Sequence, residues 1–172
     1  MLLKPQDILV MLKLLSIGGQ NWTYAWLGVQ LDMSPSQLHA AVKRALAAHL
    51  AVKKGGSIVP NRRNLEEFLV HGVKYVFVPE LGGQTRGMPT GYAAPPLASH
   101  FVGPDVPPPV WPTPDGPVRG QAFSPLYALA PGAARKDAKL YEYLALLDAI
   151  RGGRARERDM AIRELKARLE HD

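Results

Sequence analysis

Thirteen of the sixteen prolines fall in residues 79–134, Pro107-Pro108-Pro109 among them. Inside a helix a proline removes a backbone hydrogen bond and clashes with the preceding turn, at about 3 kcal/mol. In a sheet it is confined to edges and bulges. Regular helices are therefore expected outside this segment, and the chain divides into residues 1–78, 79–134 and 135–172. The middle part still carries Tyr92, Phe101, Trp111, Phe123 and Tyr127, more rings than a solvated linker ordinarily keeps. It reads as an extended, partly polyproline segment lying along the folded parts and pinned by those rings, with Trp26 among the surfaces it covers. A disordered tether is the alternative. Asp115-Gly116 signals a turn, and Val118–Phe123 a short strand.

The first part reads as helices followed by a hairpin. Residues 5–17 place Ile8, Met11, Leu12 and Leu15 along one stripe, and Gly18-Gly19 ends the helix. Residues 22–50 read as two helices joined by a tight turn. Thr23 suits an N-cap, Leu27 and Leu31 lie one turn apart, and small Gly28 lets another helix approach. Asp32 stands where the chain must turn, and Ser34-Pro35 restarts it as N-cap and N1. From Pro35 the helical period puts Leu38, Ala41, Val42, Ala45 and Leu46 on one face. Ser36, Ala40, Lys43, Arg44 and Ala47 fall on or near the other. Past Leu50 the period becomes two, and residues 51–60 read as a β-hairpin with Lys53 and Lys54 beside a Gly55-Gly56 turn. Asn64 opens a capping-box pattern for a helix over 65–77, with a strand over 73–78 as the competing reading.

A helix that enters a DNA major groove needs short side chains for close approach and long cationic ones to reach guanine edges or phosphates. The second face of the helix over 35–48 has that character. The candidate DNA-binding residues are Ser34, Ser36, Gln37, His39, Ala40, Lys43 and Arg44 on this helix, Lys53 and Lys54 on the hairpin, and Arg62 and Arg63 just beyond it.

Residues 1–63 resemble the winged helix-turn-helix domain of bacterial transcriptional regulators of the broad MarR kind. The resemblance is carried by WTYAWLGVQLDMSPSQLHAAVKRALAAHLAVKK, where Leu27, Leu31, Met33, Ser34, Pro35, Leu38, Leu46 and Leu50 fit the family pattern. Trp26 stands where an exposed Glu is usual, and Asp32 and His49 replace the customary turn glycines. The resemblance implies that Ser36, Gln37, Ala40, Lys43 and Arg44 face the major groove and that the wing lysines meet phosphates or the minor groove. It also implies a homodimer that reads two half-sites about 34–36 Å apart.

The last part reads as an αα-hairpin. One helix over 137–151 carries Leu140, Leu144 and Leu147 with Tyr141 and Tyr143, Gly152-Gly153 breaks it, and a second over 155–169 carries Ile162, Leu165 and Leu169. Such a hairpin either folds back on its own chain or makes or supports the dimer. The run Arg151, Arg154, Arg156, Arg158 is interleaved with Glu157 and Asp159 and reads as a solvated, salt-bridged helix start in preference to a nucleic-acid contact.

The net charge of +6 permits a polyanionic partner, and its distribution favours the first part: nine Lys/Arg against four Asp/Glu in residues 1–78, two against three in 79–134 and ten against eight in 135–172. There is no cysteine, which excludes disulfides, zinc–thiolate sites and thiol catalysis. His39, His49, His71, His100 and His171 show no paired ligand spacing, and the Gly pairs lack the strand and Lys-Ser/Thr of a phosphate loop. Glu66-Glu67 begins a helix, where carboxylates favour the dipole, and Ser124-Pro125 is no nucleophile elbow. Neither an enzyme nor a cofactor is expected. Lys4, Asp7 and Lys13 interrupt an apolar N-terminus too short to span a bilayer and unlike a signal peptide, so a cytoplasmic protein with no membrane partner is expected.

The resulting expectation is a mainly α protein with a small β-hairpin wing: a sequence-specific double-stranded-DNA-binding transcriptional regulator, acting as a repressor. The alternative is a protein-interaction module, an antitoxin or adaptor that binds a partner protein through residues 79–172, with autoregulation of its own gene as a variant that joins both readings. A ligand pocket in residues 79–134, hinted at by Trp111 and Tyr127, is a third reading.

Overall fold

Helix α1 (Pro5–Ile17) is apolar on every side, with Ile8 through Leu12, Leu14 and Leu15 all removed from solvent. A helix of that kind must be enclosed by other layers. The computed structural model, which describes residues 1–101 and 106–171, shows what encloses it. On α1 pack helix α3 (Pro35–Ala47), the second strand of a hairpin and a helix from the far end of the chain, α7 (Ala138–Gly152). Helix α7 is itself buried from Tyr143 to Arg151. The protein is mainly helical, with short strands in two small sheets, and one apolar core runs through all three parts of the chain.

The local signals in the first part act as read. Helix α2 (Tyr24–Leu31) is capped by the Thr23 hydroxyl, which accepts from the Trp26 amide at 3.1 Å. It ends at Asp32, left-handed at φ 57°, and His49 takes the same conformation (φ 60°) after α3. Both stand where glycine would be easier. Gly28 serves the turn more than a neighbouring helix: a Cβ there would lie 2.7 Å from the Met33 carbonyl oxygen. Strands β1 (Ala51–Lys54) and β2 (Ser57–Pro60) pair antiparallel across Gly55-Gly56.

Helix α4 (Arg62–Glu67) begins earlier than the Asn64 pattern suggests, because Asn61 supplies the cap by accepting from the Asn64 amide. It runs through one π-turn (Phe68–Gly72) into a last helical turn, α5 (Val73–Val76), so the strand reading of this stretch is set aside.

The proline-rich part departs most from expectation. In place of a polyproline strip, β3 (Leu81–Pro89), β4 (Pro109–Pro112) and β5 (Val118–Phe123) close into a three-stranded barrel. β3 is antiparallel to both others, and β4 and β5 are parallel. Strands approach this closely only where side chains are missing. A Cβ on Gly87 would lie 2.2 Å from the Trp111 carbonyl oxygen, one on Gly116 2.4 Å from the Gly87 backbone, and one on Gly120 2.1 Å from the Pro108 carbonyl oxygen. The expected strand at Val118–Phe123 is present; the extended reading of residues 102–105 lies outside the described residues. Helix α2, which carries Trp26, is met from this side of the chain by residues 130–136. Trp26 itself is 39% exposed, with the Lys13 ammonium 5.3 Å from its ring centre.

Helix α6 (Ala130–Lys136) starts inside the part read as extended and crosses its end at residue 134, with Pro131 in its first turn, where a missing amide costs nothing. Helix α8 (Ala155–His171) folds back on α7 and α4. Its Ala161, Leu165 and Leu169 join the core, so this apolar side of α8 is occupied within the chain, as the fold-back reading expects. Among the described residues no helix is long and apolar enough to cross a membrane.

Candidate nucleic-acid interface

Helix α3 divides cleanly. Leu38, Ala41, Val42 and Ala45 are buried against the core, whereas Ser34, Ser36, Gln37, His39 and Lys43 are exposed and Ala40 is half-buried. Its first turn is set by a reciprocal cap. The Ser34 hydroxyl accepts from the Gln37 amide at 3.2 Å, and the Gln37 side-chain carbonyl accepts from the Ser34 amide at 2.9 Å. The Ser36 hydroxyl lies 3.2 Å from that of Ser34. One flank is braced by rings: His39 stacks on Tyr24 at 3.8 Å, and Trp22 meets Tyr24 edge-on at 5.1 Å. Burial among these neighbours raises the Tyr24 hydroxyl above its ordinary value. From Pro35 to Ala47 there is no carboxylate. Asp32, exposed at the preceding turn, is the nearest one in sequence on that side.

Arg44 does not join the open face. Its Nε and Nη2 each donate at 2.8 Å to the two carboxylate oxygens of fully buried Asp7. The side chain is 15% exposed, and the Asp7 hydrogen bonds raise its already high value further. Asp7 also accepts from the Lys4 amide, capping α1. The fork therefore fastens α3 to the start of α1, a job for which planar guanidinium suits better than an ammonium. Sequence reading missed it because Asp7 looked like an interruption of an apolar run.

Arg62 is likewise withdrawn, half-buried with Nη1 donating at 3.1 Å to the Leu169 carbonyl near the end of α8. Lys43, Lys53, Lys54 and Arg63 remain open to solvent. Their heads stand clear of the ion pairs that tie Lys13, Arg44, Arg151 and Arg168 into the fold. The structure thus brings Ser34, Ser36, Gln37, His39, Ala40 and Lys43 onto one helix side, places Lys53 and Lys54 on the hairpin that follows, and removes Arg44 and Arg62.

No protein family, characterised protein or solved structure compared with this chain matches it. The reading of the surface rests on its own geometry.

The mount beneath it is stiff. Lys13, 3% exposed, donates to Asp137 at 2.7 Å and to Gln30 Oε1 at 3.3 Å. Asp137 also accepts from the Ser16 hydroxyl and caps α7 through the Leu140 amide. A second buried centre joins α7 to the barrel. Asp148 accepts from Thr90 (2.6 Å), Trp111 Nε1 (2.7 Å) and Arg151 (2.8 Å), and Arg151 also donates to the Phe77 and Ser124 carbonyls. Burial pushes the Asp148 carboxyl up, against the pull of Arg151 and the other donors. Every donor here is engaged within the fold. Arg151 is therefore a core residue and not part of a solvated run, while Arg154 and Arg156 stay exposed as expected. Trp111 is fully buried on Asp148 and Tyr127 packs on the core, while a cleft in this part of the chain is lined instead by Leu81, Tyr92, Gln121 and Phe123 against Asp148 and Glu157 of α7 and α8. Among the described residues no cluster of His, Asp or Glu could hold a metal ion.

Proposed function

We propose that this protein is a winged helix-turn-helix transcriptional regulator that binds double-stranded DNA sequence-specifically and acts as a repressor. Helix α3 lies in the major groove, and the β1–β2 hairpin is the wing that meets the backbone. The observation that carries the reading is the exposed side of α3: free of carboxylates, thin at Ser36 and Ala40, cationic at Lys43, and followed by a hairpin bearing Lys53 and Lys54. A solvated helix face of ordinary kind mixes both signs, as α8 does.

The test is retention of the full chain on duplex DNA across a salt series. The full chain is needed because residues 1–78 share their core with α7 and α8. Log affinity should fall by about 0.9 per phosphate met for each unit of log salt, hence roughly 3 for Lys53, Lys54 and Arg63 of one subunit. Absence of salt-dependent retention on any duplex would refute the regulator reading.

One observation favours a second reading, a module that binds a protein partner. Four large apolar side chains are exposed close together in sequence: Tyr75 at 75%, Val76 at 54%, Val78 at 67% and Leu81 at 60%. Under that reading duplex DNA is not retained, and Val78→Asp or Leu81→Asp abolishes association with the partner.

A further inference from the structure

A cleft separates the barrel from the turn between α7 and α8, and none of its walls belongs to the surface proposed to meet DNA. It has two lobes, of about 280 Å³ and about 530 Å³. Tyr92, Val106, Arg154 and Glu157 line both, so the lobes adjoin at these residues. Leu81 and Phe123 close the smaller lobe, and His100, Phe101 and Arg156 the larger. Volumes of this order are those of small-molecule sites.

The larger lobe joins rings to positive charge. Tyr92 meets Phe101 edge-on at 5.9 Å between centroids, and the Arg156 guanidinium lies 5.7 Å from the Phe101 ring centre. Arg154 and Arg156 are exposed, and among the described residues no carboxylate pairs with either guanidinium. Glu157 is the one acid lining this lobe, and its Oε2 already accepts from the Arg154 amide at 2.8 Å. The Tyr92 hydroxyl is shut off from water without a partner, an uncommon state for a buried polar group. Burial and the Glu157 charge raise its value while the Arg154 charge opposes them, so both charges act on the junction of the lobes.

Planar guanidinium suits carboxylate and phosphate, whereas a bare inorganic ion would leave the ring wall uncovered. We infer that this cleft binds a small organic anion: its carboxylate or phosphate is held by Arg156 and its flat ring packs on Tyr92 and Phe101. Arg154, in the wall shared by the two lobes, adds charge to the same space. This site stands apart from the DNA-binding reading and does not rest on it.

Titration calorimetry on the full-length protein separates the parts of the inference with four probes. Naphthoate and naphthyl phosphate carry a flat ring and an anion, naphthalenemethanol the ring without charge, and inorganic phosphate the charge without a ring. Both ring anions should bind with Kd below about 1 mM, and the other two probes about tenfold more weakly or worse. The tighter of the two ring anions names the head group as carboxylate or phosphate. Arg156→Ala, at an exposed position whose fold is checked by thermal unfolding, should weaken the ring anions about tenfold. Phe101→Ala should weaken them several-fold. Lys166→Ala removes the same charge from an exposed position about 15 Å further along α8 and should leave binding unchanged. Failure of both ring anions to bind at about 1 mM, equal binding of the ring alcohol, or unchanged binding by Arg156→Ala overturns the inference. None of these outcomes bears on retention of duplex DNA, which tests the proposed function separately.

Discussion

Lys43 and Arg44 are neighbours in the chain, and the helical period puts them only 100° apart, yet one faces water and the other closes on Asp7. Removing one member of a buried, bidentate pair leaves the other charge without compensation. Arg44→Gln or Asp7→Asn should therefore destabilise the protein by about 3 kcal/mol, whereas Lys43→Ala should stay within about 0.5 kcal/mol. Urea denaturation midpoints check this, and equal costs for Arg44→Gln and Lys43→Ala would sink the assignment. Under the proposed function the two residues also separate on DNA: loss of fastening Arg44 lowers affinity at every sequence, while loss of Lys43 as a reader changes which sequence is preferred. The exposed face of α3 was legible because period, cap and charge are local properties. The withdrawal of Arg44 was not, since its partner lies 37 positions away and a helical wheel holds no information about what faces it.

At the level of elements, the Asp137 cap joins the start of α7 to α1. Burial alone would raise this carboxyl. The hydrogen bonds from Lys13, Ser16 and the Leu140 amide, with the Lys13 charge, outweigh that and hold it below its usual 3.8. A carboxyl with a lowered value in the folded state contributes stability above the unfolded value and loses it as pH falls through the folded one. The melting temperature should thus drop as pH is lowered below about 4, and Asp137→Asn should be less stable at neutral pH and flatter in that acid range. A wild-type and an Asp137→Asn profile of the same slope between pH 2 and 5 would count against the linkage. The barrel gives a different kind of test. Gly116→Ala pushes a methyl into the Gly87 backbone and should cost about 2–3 kcal/mol, read as a lower denaturation midpoint; an unchanged midpoint would mean that the strands do not close this tightly. Helices α2 and α3 could be read from their caps, and α7 from its leucine stripe and the glycine pair that follows. The barrel could not, because proline content argued against sheet while the glycines that permit closure look, in sequence, like loop residues. α6 was hidden for the related reason that Pro131 reads as a breaker although it sits in a first turn.

For the molecule as a whole, the division into three parts describes composition and not folding units. Leu9 and Leu12 from one end of the chain and Leu144 and Leu147 from the other belong to one core. A chain cut after residue 134 should therefore lose its cooperative thermal transition and not behave as a smaller stable protein, as differential scanning calorimetry would show. A sharp transition in the cut chain would mean that the N-terminal helices can be enclosed without α7. Charge segregation and helix period located the surface facing outward. They could not locate what lies underneath, since α1 reads as a one-sided stripe until the second helix that covers its other sides is known.

The bond from Lys13 to Asp137 spans 124 positions, and this has a bearing on biosynthesis. At cellular elongation rates of 5–20 residues per second, roughly 6–25 s pass between the emergence of α1 and that of the helix that shields it. Throughout that interval only α3 and the hairpin strand can cover the oily rod, and the sides that α7 closes stay open to water.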